Sequence, residues 1–599
     1  MTLLTGFTPL FVSSSLTPFS IIDQFPTESI DQSIMPRKEV LERRAAGKTR
    51  KIARRACDVC RSRRIQCLFS ADSSAACLRC LRHDVPCTFL TSRKPRGPPS
   101  RHIAEAKQRA ALSSPPLSHP DQQPLPLPLP LPIGPIGIAH FLPEPVFLTV
   151  IDDFLFRVYP LVPFIHLPRF KAQLASRDFE TDPAFFRLCV ALCAITVASL
   201  PRNLSSYGIV GYHDAAQVVE RASHLITCSY MATSPSWQDQ PSFERLRVTI
   251  LTAVAFLYAG RNHAGYVWFN EAVPCCRDLE LYKRDAYKGL DIVDTELRKR
   301  VFWLLFIAQV HSRVNDLIPP CGLHFCPRQT DWEFLLPKEL SDEELCGESA
   351  HSARGTPLIS GYVALVKLYL SVLDHLDEFF PSTSAPHILS HGGVVARVLP
   401  RVESYSNQVQ ILSAFPMLDS LLQVIQRLNT VVDQLPEPLS LPLGGREVRR
   451  SDDHPAAVFQ QNHPFHSMSA NLYMTAIYLQ SVMLEVCLDR WQNRSRELAR
   501  EGEGYYVPID EAVSAHLWSI KASIGEMLVG VLTCLSGPDL ESNGQSMIVK
   551  LRQVASTFLY PDGNSKDPNF NFINSFVSRQ CLDKALSVLI EIDYLVAKN

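Results

Sequence analysis

Six cysteines crowd into one short stretch of a 599-residue chain: Cys57, Cys60, Cys67, Cys77, Cys80 and Cys87. Their spacing is C-x2-C-x6-C, a nine-residue gap, then C-x2-C-x6-C again. Thiolates two residues apart can grip one tetrahedral ion from the first turn of a helix. Two four-coordinate zinc ions need eight bonds, so two of six thiolates would have to bridge both metals, whereas one zinc would leave two cysteines idle. A redox C-x-x-C pair predicts one motif beside a βαβ pattern, and here there are two with none. RING-like and treble-clef sites use histidine ligands or longer gaps, and His83, the only histidine inside the cluster, stands at no repeated position. Passive metal storage would not require the arginines around the cluster.

Those arginines form part of a larger asymmetry. The net charge is −1, yet Arg37–Arg109 holds 20 Lys/Arg against 6 Asp/Glu, leaving an acidic remainder. A basic head of this kind marks a polyanion partner. The other eleven cysteines are scattered, several in apolar runs such as those around Cys189 and Cys193, and read as small buried hydrophobes. The apolar start Leu3–Phe19 lacks a basic flank, since the first basic residue is Arg37, so no secretory signal is expected. No uninterrupted run of 18 apolar residues occurs; the longest candidate, Leu188–Leu200, is too short to span a bilayer, and no membrane partner is expected. Clustered cysteines in a reducing compartment favour metal over disulfide.

The segment Arg55–Phe89 resembles the DNA-binding domain of the fungal zinc binuclear cluster (Zn2Cys6) transcription factors. The resemblance implies two zinc ions per chain, bridged by Cys57 and Cys77, with Cys60 and Cys67 completing one site and Cys80 and Cys87 the other. It also implies that the first short helix enters the DNA major groove, commonly over a CGG triplet. Arg63 and Arg64 match the base-reading positions, where an arginine fork can donate to guanine O6 and N7. Arg61 and Gln66 match positions that touch phosphates, and Arg54, Arg55, Arg93, Lys94 and Arg96 would add salt-sensitive, sequence-independent affinity. Three residues depart from the family pattern: Gln66 where lysine is common, Ala75 where a loop proline is common, and Leu68 where a small or acidic residue is usual.

The remaining chain must position and regulate this head. Residues 1–49 are expected to be a disordered segment carrying a basic run; the change of character at Met35 raises the expectation that translation starts there. Residues 50–97 form the Zn2Cys6 domain and 98–143 a proline-rich linker. Within the linker, PLPLPLPLP at 124–132 should adopt an extended polyproline conformation. Residues 113–135 at about 3.1 Å each could reach roughly 70 Å. From Phe147 the pattern turns helical, with Leu297, Val301, Leu304, Leu305 and Ala308 on one helix face and Phe302, Trp303 and Phe306 on others, predicting a helix buried nearly all round. Similar runs occupy Phe185–Leu200, Leu246–Tyr258, Asn471–Leu488, Ala512–Leu535 and Lys584–Val596, and 436–455 reads as a loop.

Tyr159–Phe170, Gly265–Lys283 and Glu296–Arg313 resemble segments of the same family's fungal-specific regulatory domain. That resemblance implies an all-helical domain at 144–450, with the helical region 451–599 continuous with it. The expected fold class is mainly α: a small binuclear cluster domain, a proline-rich linker and a large all-helical regulatory domain. No HExxH, GxSxG or GxxxxGK[ST] motif occurs, so no enzyme is expected. His166, His263 and His311 read as structural or surface residues, the group Asp452-Asp453-His454 carries no motif, and Cys275-Cys276, Trp268, Phe269, Phe302 and Trp303 read as packing residues. Aromatic density around those four rings motivates an effector pocket.

The expected function is zinc-dependent, sequence-specific control of RNA polymerase II transcription in the nucleus. Double-stranded DNA is the expected partner, with co-regulators or the transcription machinery, a homodimer and a small-molecule effector compatible with the pattern. Arg101–Leu112 is too short for a sustained heptad coiled coil, so dimerisation through the body is compatible with it as well. A zinc-containing interaction scaffold is the competing class.

Overall fold

A computed structural model of the chain describes residues 51–52, 56–63, 65–69, 76–89, 137–315, 322–347, 355–381, 399, 415–443, 464–501, 507–559 and 568–592. The chain divides into two compact units, Met1–Pro126 and Leu127–Asn599, and the division falls within the alternating proline–leucine stretch.

The first unit contains two five-residue helices, α1 (Asp58–Ser62) and α2 (Leu78–Arg82). It also contains two-residue strands, β1 (Lys51–Ile52) and β2 (Leu68–Phe69), paired antiparallel with Ile52 opposite Leu68. Leu68, a departure from the family pattern, is thus a rung of the ladder that ties the basic approach segment to the exit from Cys67.

The second unit is helical among the described residues. In chain order its helices are α3 (Glu144–Asp153), α4 (Leu167–Ala175), α5 (Pro183–Ser199), α6 (Ala215–Thr233), α7 (Phe243–Tyr258), α8 (Asn262–Asp278) and α9 (Ile292–Val314). There follow α10 (Trp332–Leu335), α11 (Asp342–Leu345), α12 (Ile359–Leu373), α13 (Leu376–Phe379) and α14 (Pro416–Asp433). The last five are α15 (Pro464–Glu501), α16 (Val507–Cys534), α17 (Gly537–Glu541), α18 (Gly544–Thr557) and α19 (Pro568–Ile592). Their starts follow from local chemistry. Asp182, Asp214, Ser242, Asp291 and Ser341 each accept a backbone N–H two or three residues on, satisfying donors that a helix N-terminus leaves orphaned.

Helices α5, α7 and α8 pack successively, α6 lies against α5, and α15 gathers α12, α14, α16 and α18 around itself. One hydrophobic core runs continuously from Ile138 to Ile592. Helix α9 is buried on most sides, and that burial includes Glu296, Lys299 and Arg300 besides its apolar residues. Helix α12, ISGYVALVKLYLSVL, was not singled out from the sequence; every residue in it but Lys367 is buried. The run read as Lys584–Val596 belongs to a helix that begins at Pro568; its residues beyond Ile592 lie outside the described set.

Although no unbroken apolar run of 18 exists, Pro464–Arg494 and Ala512–Cys534 are long and apolar enough by composition to cross a bilayer. Their most apolar 18-residue windows are 83% and 44% buried within the protein, and the first is a central core helix. The described start of the 436–455 segment is also docked: Tyr473 Oη accepts from Leu441 N at 3.0 Å, and Ser469 Oγ donates to the Leu439 carbonyl at 3.0 Å.

Buried charge is handled by specific partners. Asp342 accepts from Tyr159 Oη at 2.7 Å, Leu167 N at 2.8 Å and Arg300 Nη2 at 3.0 Å, and its carbonyl meets His166 Nε2 at 2.7 Å. This hub joins α11 to α9 and to the start of α4. A second device is a stack: Arg187 lies over Tyr230, Tyr230 stacks on Trp237 at 4.7 Å, and Arg245 covers the other side. Asp342→Ala is expected to lower the unfolding free energy by about 3–5 kcal/mol, because it strands the buried Arg300 guanidinium. Urea unfolding followed by circular dichroism measures the loss, and an unchanged transition would show that the hub carries little.

Lys550 is buried with Nζ donating to Asn471 Oδ1 at 2.7 Å and Thr475 Oγ1 at 2.8 Å. Burial pulls its ammonium down to about 7. The unfolded chain therefore binds more protons than the folded one above that value, and stability should rise with pH from about 7 towards the ordinary lysine value of 10.5. Lys550→Met should flatten this rise, as read from unfolding free energies at pH 6, 8 and 10; an identical slope in the variant would refute the assignment.

Candidate metal centre and nucleic-acid interface

The twenty-residue offset between the two cysteine triplets is reproduced in the backbone. Arg61 N donates to the Cys57 carbonyl and Leu81 N to that of Cys77; Arg63 N donates to Val59 and His83 N to Arg79; Ile65 N donates to Cys60 and Val85 N to Cys80. Each half is therefore one short helical turn closed in the same way. Each is capped by its first sulfur: Cys57 Sγ accepts from Cys60 N, and Cys77 Sγ from Cys80 N, both at 3.4 Å. Cys87 Sγ accepts from Cys77 N at 3.4 Å. The end of the motif is clasped to its start by Asp58 N to the Thr88 carbonyl at 2.8 Å and by Thr88 Oγ1 to Asp58 Oδ2 at 2.9 Å.

The six sulfurs converge, and five of the cysteines are buried. Cys57 and Cys77 Sγ lie 3.8 Å apart, Cys57 and Cys80 3.6 Å, and Cys60 and Cys77 3.6 Å. Four sulfurs at the usual 2.3 Å from a tetrahedral zinc would be about 3.8 Å from one another. Two quartets meet this test within 4.8 Å: Cys57, Cys60, Cys67 and Cys77, and Cys57, Cys77, Cys80 and Cys87. They have Cys57 and Cys77 in common. The donor set therefore fits two zinc ions, which would supply cross-links that a head with so few apolar residues otherwise lacks.

Protonation follows the same division. Burial raises every one of these thiols, and neighbouring sulfur charge adds to it, so Cys60, Cys80 and Cys87 are pushed up and Cys67 rises to about 11. In Cys57 and Cys77 burial is outweighed by hydrogen bonds from the backbone and from neighbouring thiols, which bring Cys57 below the ordinary thiol value and Cys77 down to about 6. The two sulfurs common to both quartets are thus the two most readily ionised.

Around the centre, Arg61 is half-buried on α1, Arg63 is exposed at its C-terminal cap and Gln66 is exposed further on. Arg64, Arg54, Arg55, Arg93, Lys94, Arg96 and Ala75 lie outside the described residues. So do the basic run and Met35 near the N-terminus, the PLPLPLPLP stretch and Asp452-Asp453-His454. The sequence reading passed over Arg79 and Arg82, both exposed on α2. The signal available was the repeat itself, which makes α2 a second copy of α1.

Residues 55–97 match the model of the fungal Zn(2)-Cys(6) binuclear cluster domain, and residues 151–311 that of the fungal specific transcription factor domain. Both matched domains are ones that fungal Zn2Cys6 transcription factors carry. That family is one of transcription factors, not of enzymes. Among its relatives are a transcriptional regulatory protein of Schizosaccharomyces pombe, 26% identical over 33% of this chain and 23% of its own. Transcription factor macR of Penicillium terrestre is 24% identical over 34% of this chain and 25% of its own. The maltose fermentation regulatory protein MAL13 of Saccharomyces cerevisiae is 22% identical over 43% of this chain and 49% of its own. The matches thus span 23% to 49% of these relatives' lengths.

Elsewhere in the chain, the histidines and aromatics singled out from sequence have structural surroundings. His166 is buried against Asp342, His263 is exposed, and His311 packs beside Tyr369 and Tyr478. Cys275 and Cys276 are buried in α8. Phe269, Phe302 and Trp303 are core residues, Trp303 Nε1 donating to the Leu335 carbonyl at 2.7 Å, and Trp268 packs partly buried against them. A cavity of about 120 Å³ elsewhere in the body is lined by none of these four rings.

Chelation should be decisive for the head. Native mass spectrometry is expected to find two zinc ions per chain, and their removal by a strong chelator should abolish the α1 and α2 signals in amide exchange while leaving the body's protection intact. Full protection of both short helices in the metal-free chain would overturn the account.

Proposed function

We propose that this protein is a zinc-dependent, sequence-specific DNA-binding regulator of RNA polymerase II transcription, acting in the nucleus and reading CGG-type triplets. The observation that carries the reading is the pair of overlapping sulfur quartets flanking α1, with Arg63 exposed at its end. In the proposed roles, Cys57 and Cys77 bridge two zinc ions, Cys60 and Cys67 complete one site, and Cys80 and Cys87 complete the other. Six thiolates and two zinc ions leave the cluster with a net charge of about −2. Repulsion from DNA phosphates must then be overcome by the surrounding arginines. Arg63 and Arg64 are assigned to guanine edges in the major groove. Arg54, Arg55, Arg61, Gln66, Arg93, Lys94 and Arg96 are assigned to phosphates, which position the head without reading sequence. The helical body, in the same proposal, sets activity through co-regulators, self-association or a small molecule. The domain division at 50–97, 98–143, 144–450 and 451–599 belongs to the proposal too.

The test is a binding series on CGG-containing and scrambled duplexes across a salt range. Arg63→Ala with Arg64→Ala should remove about 1–3 kcal/mol of discrimination for each bidentate guanine pairing and leave nonspecific binding largely intact. Lys94→Ala with Arg96→Ala should weaken all duplexes alike and reduce the salt slope by about 1 for each phosphate that is no longer neutralised. Equal losses from both pairs on every duplex would overturn the division of roles, and no preference for CGG in the unaltered protein would overturn the specificity.

A further inference from the structure

The helical body contains a cavity of about 120 Å³ at a seam. One side is built by the end of α5, the start of α6 and the end of α7, all inside the segment matching the regulatory-domain model. The other side is built by α17, α18 and the end of α19, which lie beyond it in sequence. Ala216, Ile548 and Ile592 supply apolar wall. Tyr258 closes one end flat against Gly544, whose φ of +57° suits glycine; a Cβ there would stand 2.5 Å from the tyrosine ring.

Two lining residues carry a buried polar atom without a hydrogen-bond partner, Ser199 Oγ and Glu541 Oε1. Ser199 is only 1% exposed. These two atoms border one cavity, which offers room for a partner common to both. Glu541 Oε1 stands 3.6 Å from Arg202 Nε, an ion pair across the seam without a hydrogen bond. Asp214, which caps α6, is a second carboxylate in the lining. Burial lifts the Glu541 carboxyl above its ordinary value, with Arg202 and Arg157 offsetting part of the effect.

We propose that this cavity is a binding site for a small organic ammonium ion, a short primary amine of about five or six non-hydrogen atoms. The size follows from comparison with an apolar cavity of about 150 Å³, which accommodates benzene. An ammonium offers three donors and no acceptor, which matches a hydroxyl oxygen and carboxylate oxygens that accept. A carboxylate ligand would face two like charges. Because the occupant touches both sides of the seam, it stabilises the docking of the C-terminal helices by mass action. This site is independent of the DNA-binding head.

Isopentylamine, titrated into the full-length zinc-loaded chain and followed by calorimetry and thermal unfolding, tests it. Expected are saturable heat and a rising unfolding temperature, with affinity about tenfold or more above that of isopentyl alcohol or isovalerate. Glu541→Gln should remove that preference for the amine. Ala216→Leu fills the cavity without touching a polar group and should abolish binding, which keeps the test decisive if the Glu541 variant fails to fold. Absence of saturable binding, equal binding of the alcohol, or undiminished affinity in Ala216→Leu would each overturn the proposal. Duplex affinity of the same variants is a separate readout, so failure here is distinguishable from failure of the DNA-binding assignment.

Discussion

Convergence of six sulfurs on two ions is the constraint from which the head's architecture follows. Helices of five residues do not persist alone, because nucleation costs more than one turn recovers. Here each is closed by its own first cysteine, whose sulfur accepts an N–H that would otherwise be orphaned. The same sulfurs are common to both quartets, so one pair of atoms caps two helices and belongs to both groups of four sulfurs. Lowered protonation of Cys57 and Cys77 agrees with that double duty, since hydrogen bonds that favour thiolate also prepare it for metal.

The body is stabilised differently. Its core is apolar and continuous, and its buried charges are few and partnered. Asp342 gathers a phenol, a guanidinium and a backbone N–H, while burial among neutral acceptors pulls the Lys550 ammonium down to about 7. Such groups make packing specific rather than strong, because a buried ion pair roughly repays its own desolvation. At the seam cavity two buried polar atoms that lack a hydrogen bond, Ser199 Oγ and Glu541 Oε1, border the same space.

The cysteine cluster was legible in the sequence because its information is local: two identical spacings lie within one short segment. Helices with a clear stripe or a polar cap, such as α7 and α9, were legible for the same reason. Helix α12 was not singled out, and only the fold shows it buried at every position but Lys367. The membrane question turned on context too: α15 has the composition of a spanning helix, and only its position at the centre of the core explains why.

By itself, then, the sequence determined the cysteine repeat, the basic head on an acidic body and the helical class, each being a matter of spacing, charge or periodicity along the chain. Tertiary structure alone decided which sulfurs the two quartets have in common, that Asp342 meets Arg300 and Tyr159, and that Ser199 and Glu541 border one cavity. These are meetings between residues 42 to several hundred positions apart, or between sulfurs on opposite halves of a repeat. Nothing in local propensity encodes them; they arise when separate helices bury their apolar faces against one another.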